Sequence, residues 1–298
     1  MGSGFPIAGA ALLVFLAGAA PGFASCAGVA PDQRQQNSFP QDIGRTLDRI
    51  TDEGWIEIAV YEDFPPWSYL ANGQPAGIDV DLARLIGGDL GVETRIRMVQ
   101  AGETLDQDLL NYVYKGAAVG GHVSNLFLHA PYDVDYACRF DQVVFTGIYA
   151  EEHLAIAYAR AEYPEKPPVP AFFRYDTVGV ENDSISDFFL TGLVGAAGDK
   201  VHRYPNVAQA MAALVAGDVM AVMGPRAQLE AGATDAIGIH EPPFLGLERS
   251  KWTLGLALST QHRPLGYALD DIIGAAIADG RMERIFADHG VTYLPAVR

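Results

Sequence analysis

The sequence predicts an exported α/β protein of two domains, and three observations carry that expectation. β-rich runs alternate with helical stripes from about residue 46 onward, an uncharged apolar segment opens the chain, and some 270 residues remain behind it, enough for two cores.

No charged side chain precedes Asp32. Phe5 to Ala20 is apolar and small residues follow, so residues 1–26 read as a secretory signal peptide; the apolar run is short for a membrane span. Met1 to Phe5 holds no Lys or Arg, which leaves a simple amino-terminal anchor as the rival reading. Cys26 closes the string Phe23-Ala24-Ser25-Cys26, small residues before a cysteine, as in bacterial lipoprotein signals. Lipid attachment through Cys26, ordinary cleavage near it, and a Cys26–Cys138 disulfide in an oxidising compartment all stay open.

Residues 27–45 are polar, Pro-containing and without periodicity, the composition of a tether. Trp55 to Tyr61 (WIEIAVY) is a strand bounded by Gly54 and Pro65-Pro66. Leu82, Leu85, Ile86 and Leu90 form a helical stripe, with Asp79 or Asp81 placed to cap it. Leu126 to Leu128 and Gln142 to Thr146 read as short strands. Ala161 to Ala171, the richest proline stretch, reads as a surface loop without secondary structure. Thr177 to Glu181 is a strand leading into a helix that starts at Asp183-Ser184. Val207, Met211, Leu214 and Val215 make another stripe, closed by Gly217, and the uniformly apolar Val219 to Met223 suits a buried parallel strand. Leu269, Ile272, Ile273, Ala276 and Ile277 form the last stripe, ending near Gly280.

The formal charge is −17, and all of it follows the opening segment. Such a surface repels nucleic acid and anionic membranes and keeps a protein dispersed as a monomer. The seven histidines show no metal-ligand spacing and there are two cysteines, so neither a metal nor a cofactor is expected. No nucleophile elbow, P-loop or zinc signature is present, and the expectation is binding without catalysis.

Four segments in order carry a resemblance. They are Phe64-Pro65-Pro66-Trp67-Ser68-Tyr69 with Gly77-Ile78-Asp79-Val80-Asp81-Leu82; Phe145-Thr146-Gly147-Ile148-Tyr149; Thr177 to Phe189 with Ala210 to Asp218; and Leu254-Gly255-Leu256-Ala257-Leu258 with the closing helix through Gly290. Over residues 46 to 291 the chain resembles the family 3 extracellular solute-binding proteins, the polar amino-acid-binding cluster. The resemblance implies a two-lobed periplasmic-binding-protein fold of type II with two crossover strands, near residues 149–158 and 251–259. Lobe one would be residues 46–148 plus 251–298 and lobe two residues 149–250, with a small-molecule ligand held between them by hinge closure. It implies a periplasmic location and an ABC permease as partner. Val99 to Thr104, Asp106 to Gly116 and Leu128 to Asp133 look like a branch found alongside quinoprotein alcohol dehydrogenases, which implies a periplasmic dehydrogenase as the alternative partner. The same fold carries cyclohexadienyl dehydratase, so the scaffold itself does not exclude chemistry.

The resemblance singles out candidate ligand residues, each with a structural alternative. Asp63 accepts a ligand hydrogen bond or fixes the Pro-Pro turn. Trp67 is an aromatic platform or core packing. His129 is a contact or a satisfied structural histidine. Tyr132 offers a ring and a hydroxyl, and Asp133 follows it. Ser184 stands at a helix start, where free N–H groups bind anions unless a cap consumes them. Arg226 clamps a carboxylate or makes a surface ion pair. Amino-acid binders of this type use a Thr-x-x-Arg arginine for the α-carboxylate and an acid for the α-ammonium. Here Ala130-Pro131-Tyr132-Asp133-Val134-Asp135 lacks the arginine, and Pro225 stands where the acid belongs. A neutral, polyhydroxy or cationic ligand is therefore expected in place of an ordinary α-amino acid.

Overall fold

The computed structural model describes residues 44–118 and 121–297. The signal-peptide and Cys26 expectations lie outside these residues. Cys138 itself is disulfide-bonded.

Nine strands form one mixed sheet. In chain order they are β1 (Trp55–Tyr61), β4 (Glu93–Val99), β5 (Leu126–Tyr132), β6 (Val143–Ala159), β7 (Val178–Glu181), β8 (Val201–Tyr204), β9 (Ala221–Pro225), β10 (Ile237–His240) and β11 (Lys251–Ser259), while β2 (Tyr69–Ala71) and β3 (Gln74–Ala76) make a separate hairpin. The order across the sheet is β4-β1-β5-β11-β6-β9-β7-β8, with β10 also on β6. The triplets β4-β1-β5 and β9-β7-β8 are each parallel, and the antiparallel pair β6 and β11 runs between them. These two are the crossover strands of a two-lobed type II periplasmic-binding-protein fold.

The apolar residues sort to match. One core gathers Ile56, Ile58 and Val60 with α2 (Ile78–Leu90), α8 (Arg263–Ala278) and α9 (Arg281–Asp288). The other half has separate cores on the two faces of its strands, Ile156, Phe173 and Val178 on one, Ala157, Met211 and Val222 on the other. β6 is long enough to serve both halves. It joins the short strand read at Gln142 to Thr146 with the crossover expected near residues 149–158 into one strand, running through Glu151, Glu152 and His153 without a break.

The expected cap on α2 is corrected. Its N-cap is Gly77, with no side-chain cap. The first free amides of the helix are taken by backbone: Ile78 N–H donates to Pro66 O at 3.0 Å and Asp79 N–H to Trp67 O at 2.8 Å. A Cβ at Gly77 would lie 2.3 Å from Trp67 O, and its φ of 121° suits glycine alone. Asp79 is thereby released for another role. The proline stretch ends in a short 3-10 turn, Pro170–Arg174, and otherwise has no regular structure.

Within the second half, α5 (Ile185–Val194), α6 (Val207–Ala216) and α7 (Arg226–Ala231) follow β7, β8 and β9. Asn206 caps α6 and Gly217 ends it in the left-handed conformation. In the first half, α3 (Leu105–Leu109) runs into a π-helical turn at Leu110–Tyr114, and α4 (Val134–Ala137) follows β5.

Candidate ligand-binding cleft

The carboxyl ends of β1, β4 and β5 in one lobe and of β7 and β9 in the other carry the candidate residues, as expected where parallel strands end beside a crossover. After β1 the chain turns through Glu62 to Trp67. Glu62 N–H donates to Val99 O at 2.8 Å, which ties the turn to β4. Asp63 is exposed, with φ 56°. Of the four described non-glycine residues at positive φ, Asp63, His129 and Asp183 lie on or just after β1, β5 and β7, while Asn72 turns the hairpin.

The turn roofs a cavity of about 370 Å³ lined by Tyr61, Glu62, Asp63, Phe64, Glu103 and Asp108, among others. Tyr61 donates its hydroxyl to buried Asp108 at 2.7 Å, and Asp108 also accepts Gly102 N–H at 2.8 Å. Burial, then that carboxylate, drives the Tyr61 hydroxyl pKa far upward, so it stays a donor. Glu62, Asp63 and Glu103 make no ion pair among the described residues. Two rings and three unneutralised acids around one cavity favour a cation or a donor-rich molecule.

Trp67 is 1% exposed, wedged edge-on between His129 at 4.5 Å and Phe286 at 5.7 Å. It packs the core beneath the turn and presents no open face to a ligand. His129, 8% exposed, sits between Trp67 and Phe64, its Nδ1 3.2 Å from Asp79 Oδ2 but off the hydrogen-bond line. Asp79 is fully buried, and its Oδ1 accepts the Tyr149 hydroxyl at 3.0 Å. His129 is thus packed between aromatic rings with its Nδ1 lacking a hydrogen-bond partner, so it is not the satisfied structural histidine of that alternative. Sequence reasoning missed Asp79 and Tyr149, although the Gly-Ile-Asp-Val-Asp string held the signal: a helix already capped by backbone has no need of Asp79 at its start.

Tyr132 is half-buried at the end of β5, opposite Thr253. Asp133 caps α4 by accepting Tyr136 N–H at 2.8 Å and pairs with Arg249 at 2.7 Å. The backbone donor first, and the guanidinium after it, hold its carboxyl below the usual range.

In the second lobe Ser184 caps α5, its Oγ accepting Asp187 N–H at 3.2 Å. Asp187 in return accepts Asp183 N–H at 3.2 Å and is braced by Arg203 at 2.9 Å. Arg226 gives Nε to Glu230 at 2.7 Å and Nη1 to Glu241 at 2.6 Å. The helix start and the arginine that would receive a carboxylate thus both have internal partners. Among the described residues no group of three or more His, Cys, Asp or Glu could hold a metal ion, and no helix is long and apolar enough to cross a membrane.

This fold defines the type II periplasmic binding proteins. Residues 56–109 match the family described as bacterial extracellular solute-binding proteins, family 3. Solved structures with the same fold include an ancestral cationic amino acid solute-binding protein, 18% identical over 82% of this chain and 99% of that one, with a TM-score of 0.68. An amino acid ABC transporter substrate-binding protein from Streptococcus pneumoniae bound to L-arginine is 16% identical over 84% and 100%, TM-score 0.58. A solute receptor for L-cysteine of Neisseria gonorrhoeae is 21% identical over 82% and 93%, TM-score 0.54. No curated protein sequence matches the chain.

Proposed function

We propose that this chain is an exported binding protein that takes a small neutral or cationic solute between two lobes, residues 46–148 with 251–298 and residues 149–250, and hands it to a membrane permease. One observation carries the choice of solute. At the start of α5 the Asp187 N–H is taken by Ser184 and the Asp183 N–H by Asp187, and Arg226 is held by Glu230 and Glu241, while Glu62, Asp63 and Glu103 beside the first-lobe cavity make no ion pair among the described residues. A zwitterion's carboxylate brought there would lose water and find no cation; leaving a buried charge unpaired costs several kcal/mol, about a few powers of ten in affinity. Asp63 lines the cavity and is the contact this reading favours among the predicted residues.

Thermal-shift screening against polyols, amines and amino acids tests the proposal, since a ligand at about 100 times its dissociation constant adds ~2.7 kcal/mol. Hits should be neutral or cationic, and small-angle scattering should show a smaller radius of gyration in their presence. Micromolar binding of zwitterionic amino acids by calorimetry would refute the solute class. A radius unchanged by a confirmed ligand would refute the clamp and favour service to a dehydrogenase instead.

A further inference from the structure

Glu152 lies on β6, midway between the lobes, and is 2% exposed. Its Oε1 accepts the N–H of His153 at 3.0 Å and of Ala227 at 3.3 Å; Oε2 is buried and has no hydrogen-bond partner. Ala227 is the second residue of α7, a helix whose N-cap is Pro225 and which has no side-chain cap of its own. Glu152 supplies from the crossover strand what a capping residue supplies locally. Ala227 also packs into the first lobe's core, so this contact joins the crossover strand, a second-lobe helix and the opposite core at one point.

The charges around it are already committed. On α7, Arg226 pairs with Glu230 and with Glu241, and Glu230 also accepts Thr292 N–H at 2.6 Å. On β6, His153 stands 2.9 Å from both Glu151 and Glu241. From β11, Lys251 lies 3.9 Å from Glu241. Four carboxylates face three basic groups here, and none of the three is paired with Glu152. A carboxylate in that position carries a buried, half-solvated charge; protonated, it keeps an oxygen for the two amides and sheds the charge at Oε2.

We infer that Glu152 is a proton-operated latch on the hinge: uncharged, it holds α7 against β6, and ionised, it favours a rotated hinge in which its carboxylate reaches water. Burial pushes its carboxyl up to about 7, against the backbone donors that pull it down. The sign follows. A carboxyl raised above its ordinary value favours this conformation below the ordinary value, and the advantage is lost as pH rises through the raised one. The switch therefore falls between the ordinary glutamate range and neutrality. The inference rests on β6 and β11 acting as the hinge and needs no ligand.

The test is small-angle scattering of the ligand-free protein from about pH 3.5 to about pH 8.5, spanning both carboxyl values, with Glu152→Gln and His153→Gln beside the wild type. The expected result is a single change in radius of gyration in the wild type, kept in His153→Gln and absent from Glu152→Gln. A flat wild-type radius overturns the latch, as does a transition that survives in Glu152→Gln. Infrared difference spectra of the wild type decide the matter without a variant: a protonated-carboxyl band should vanish over the same interval as the radius changes, and its absence at the acid end refutes the inference. Ligand-driven closure that ignores pH would remove the latch and leave the binding function standing.

Discussion

Ser184 and Asp187 close the amino end of α5 on each other: Ser184 Oγ accepts the Asp187 amide at 3.2 Å, while the Asp187 carboxylate accepts the Asp183 amide at 3.2 Å and Arg203 Nε at 2.9 Å. This cap occupies two of the amides an anion could otherwise use.

Arg203→Ala is expected to cost about 1–2 kcal/mol near neutral pH, because it strips a charge-assisted hydrogen bond from a buried acid. Burial raises the Asp187 carboxyl, but Arg203, Thr191 and the Asp183 amide outweigh it and the net shift is downward. A depressed carboxyl contributes stability above its ordinary value and loses it as pH falls through the lower one. The deficit of Arg203→Ala should therefore shrink in acid, as read from urea melts at neutral and strongly acid pH. A constant deficit would separate the effect from Asp187.

Asp133 performs two tasks that substitution can separate. Asp133→Ala removes the cap on α4 and the ion pair to Arg249, with an expected cost of about 1 kcal/mol. Asp133→Asn keeps the cap and should cost only about a few tenths, the scale of an exposed pair. Equal losses in chemical denaturation would assign the stabilisation to Arg249 instead.

Trp67→Ala should lower stability by about 3–5 kcal/mol, the range for truncating a fully buried aromatic, while Trp67→Phe is tolerated far better. The readout is the denaturation midpoint at unchanged slope. A stable Trp67→Ala that loses only ligand affinity would return Trp67 to the cleft.

Why the sequence leaves Trp67 between cleft and core, and reads Asp79 as a candidate cap, has one cause. Local pattern identifies β1, α2, α6 and α8, whose apolar spacing and glycine stops are written within the segment. The fold class and the crossovers are legible because four such segments stand in order. Whether a residue after a strand faces ligand or core depends on which distant element covers it: Phe286 and His129 cover Trp67. Likewise the partners of Arg226 at Glu241, and of Glu152 at Ala227, lie 15 and 75 residues away in the chain. β4 went unread although Arg95 and Arg97 alternate with Ile96 and Met98; Arg95 lies 3.8 Å over the Trp55 ring and Arg97 donates to His122 O at 2.6 Å, so both arginines are held by distant partners.

The buried trio of Asp79, Tyr149 and His129 yields the last prediction. Tyr149 donates at 3.0 Å to one oxygen of Asp79, while His129 approaches the other at 3.2 Å in poor alignment. Removing the hydroxyl by Tyr149→Phe strands a carboxylate that water cannot reach, at an expected cost of about 2–3 kcal/mol. Asp79→Asn keeps an acceptor for Tyr149 and removes the charge, and a neutral isostere at a buried ionic site is often close to neutral in stability. Tyr149→Phe should therefore be the more damaging of the two in urea denaturation. The reverse order would mean that removing the Asp79 oxygen facing His129 costs more than losing the hydrogen bond from Tyr149.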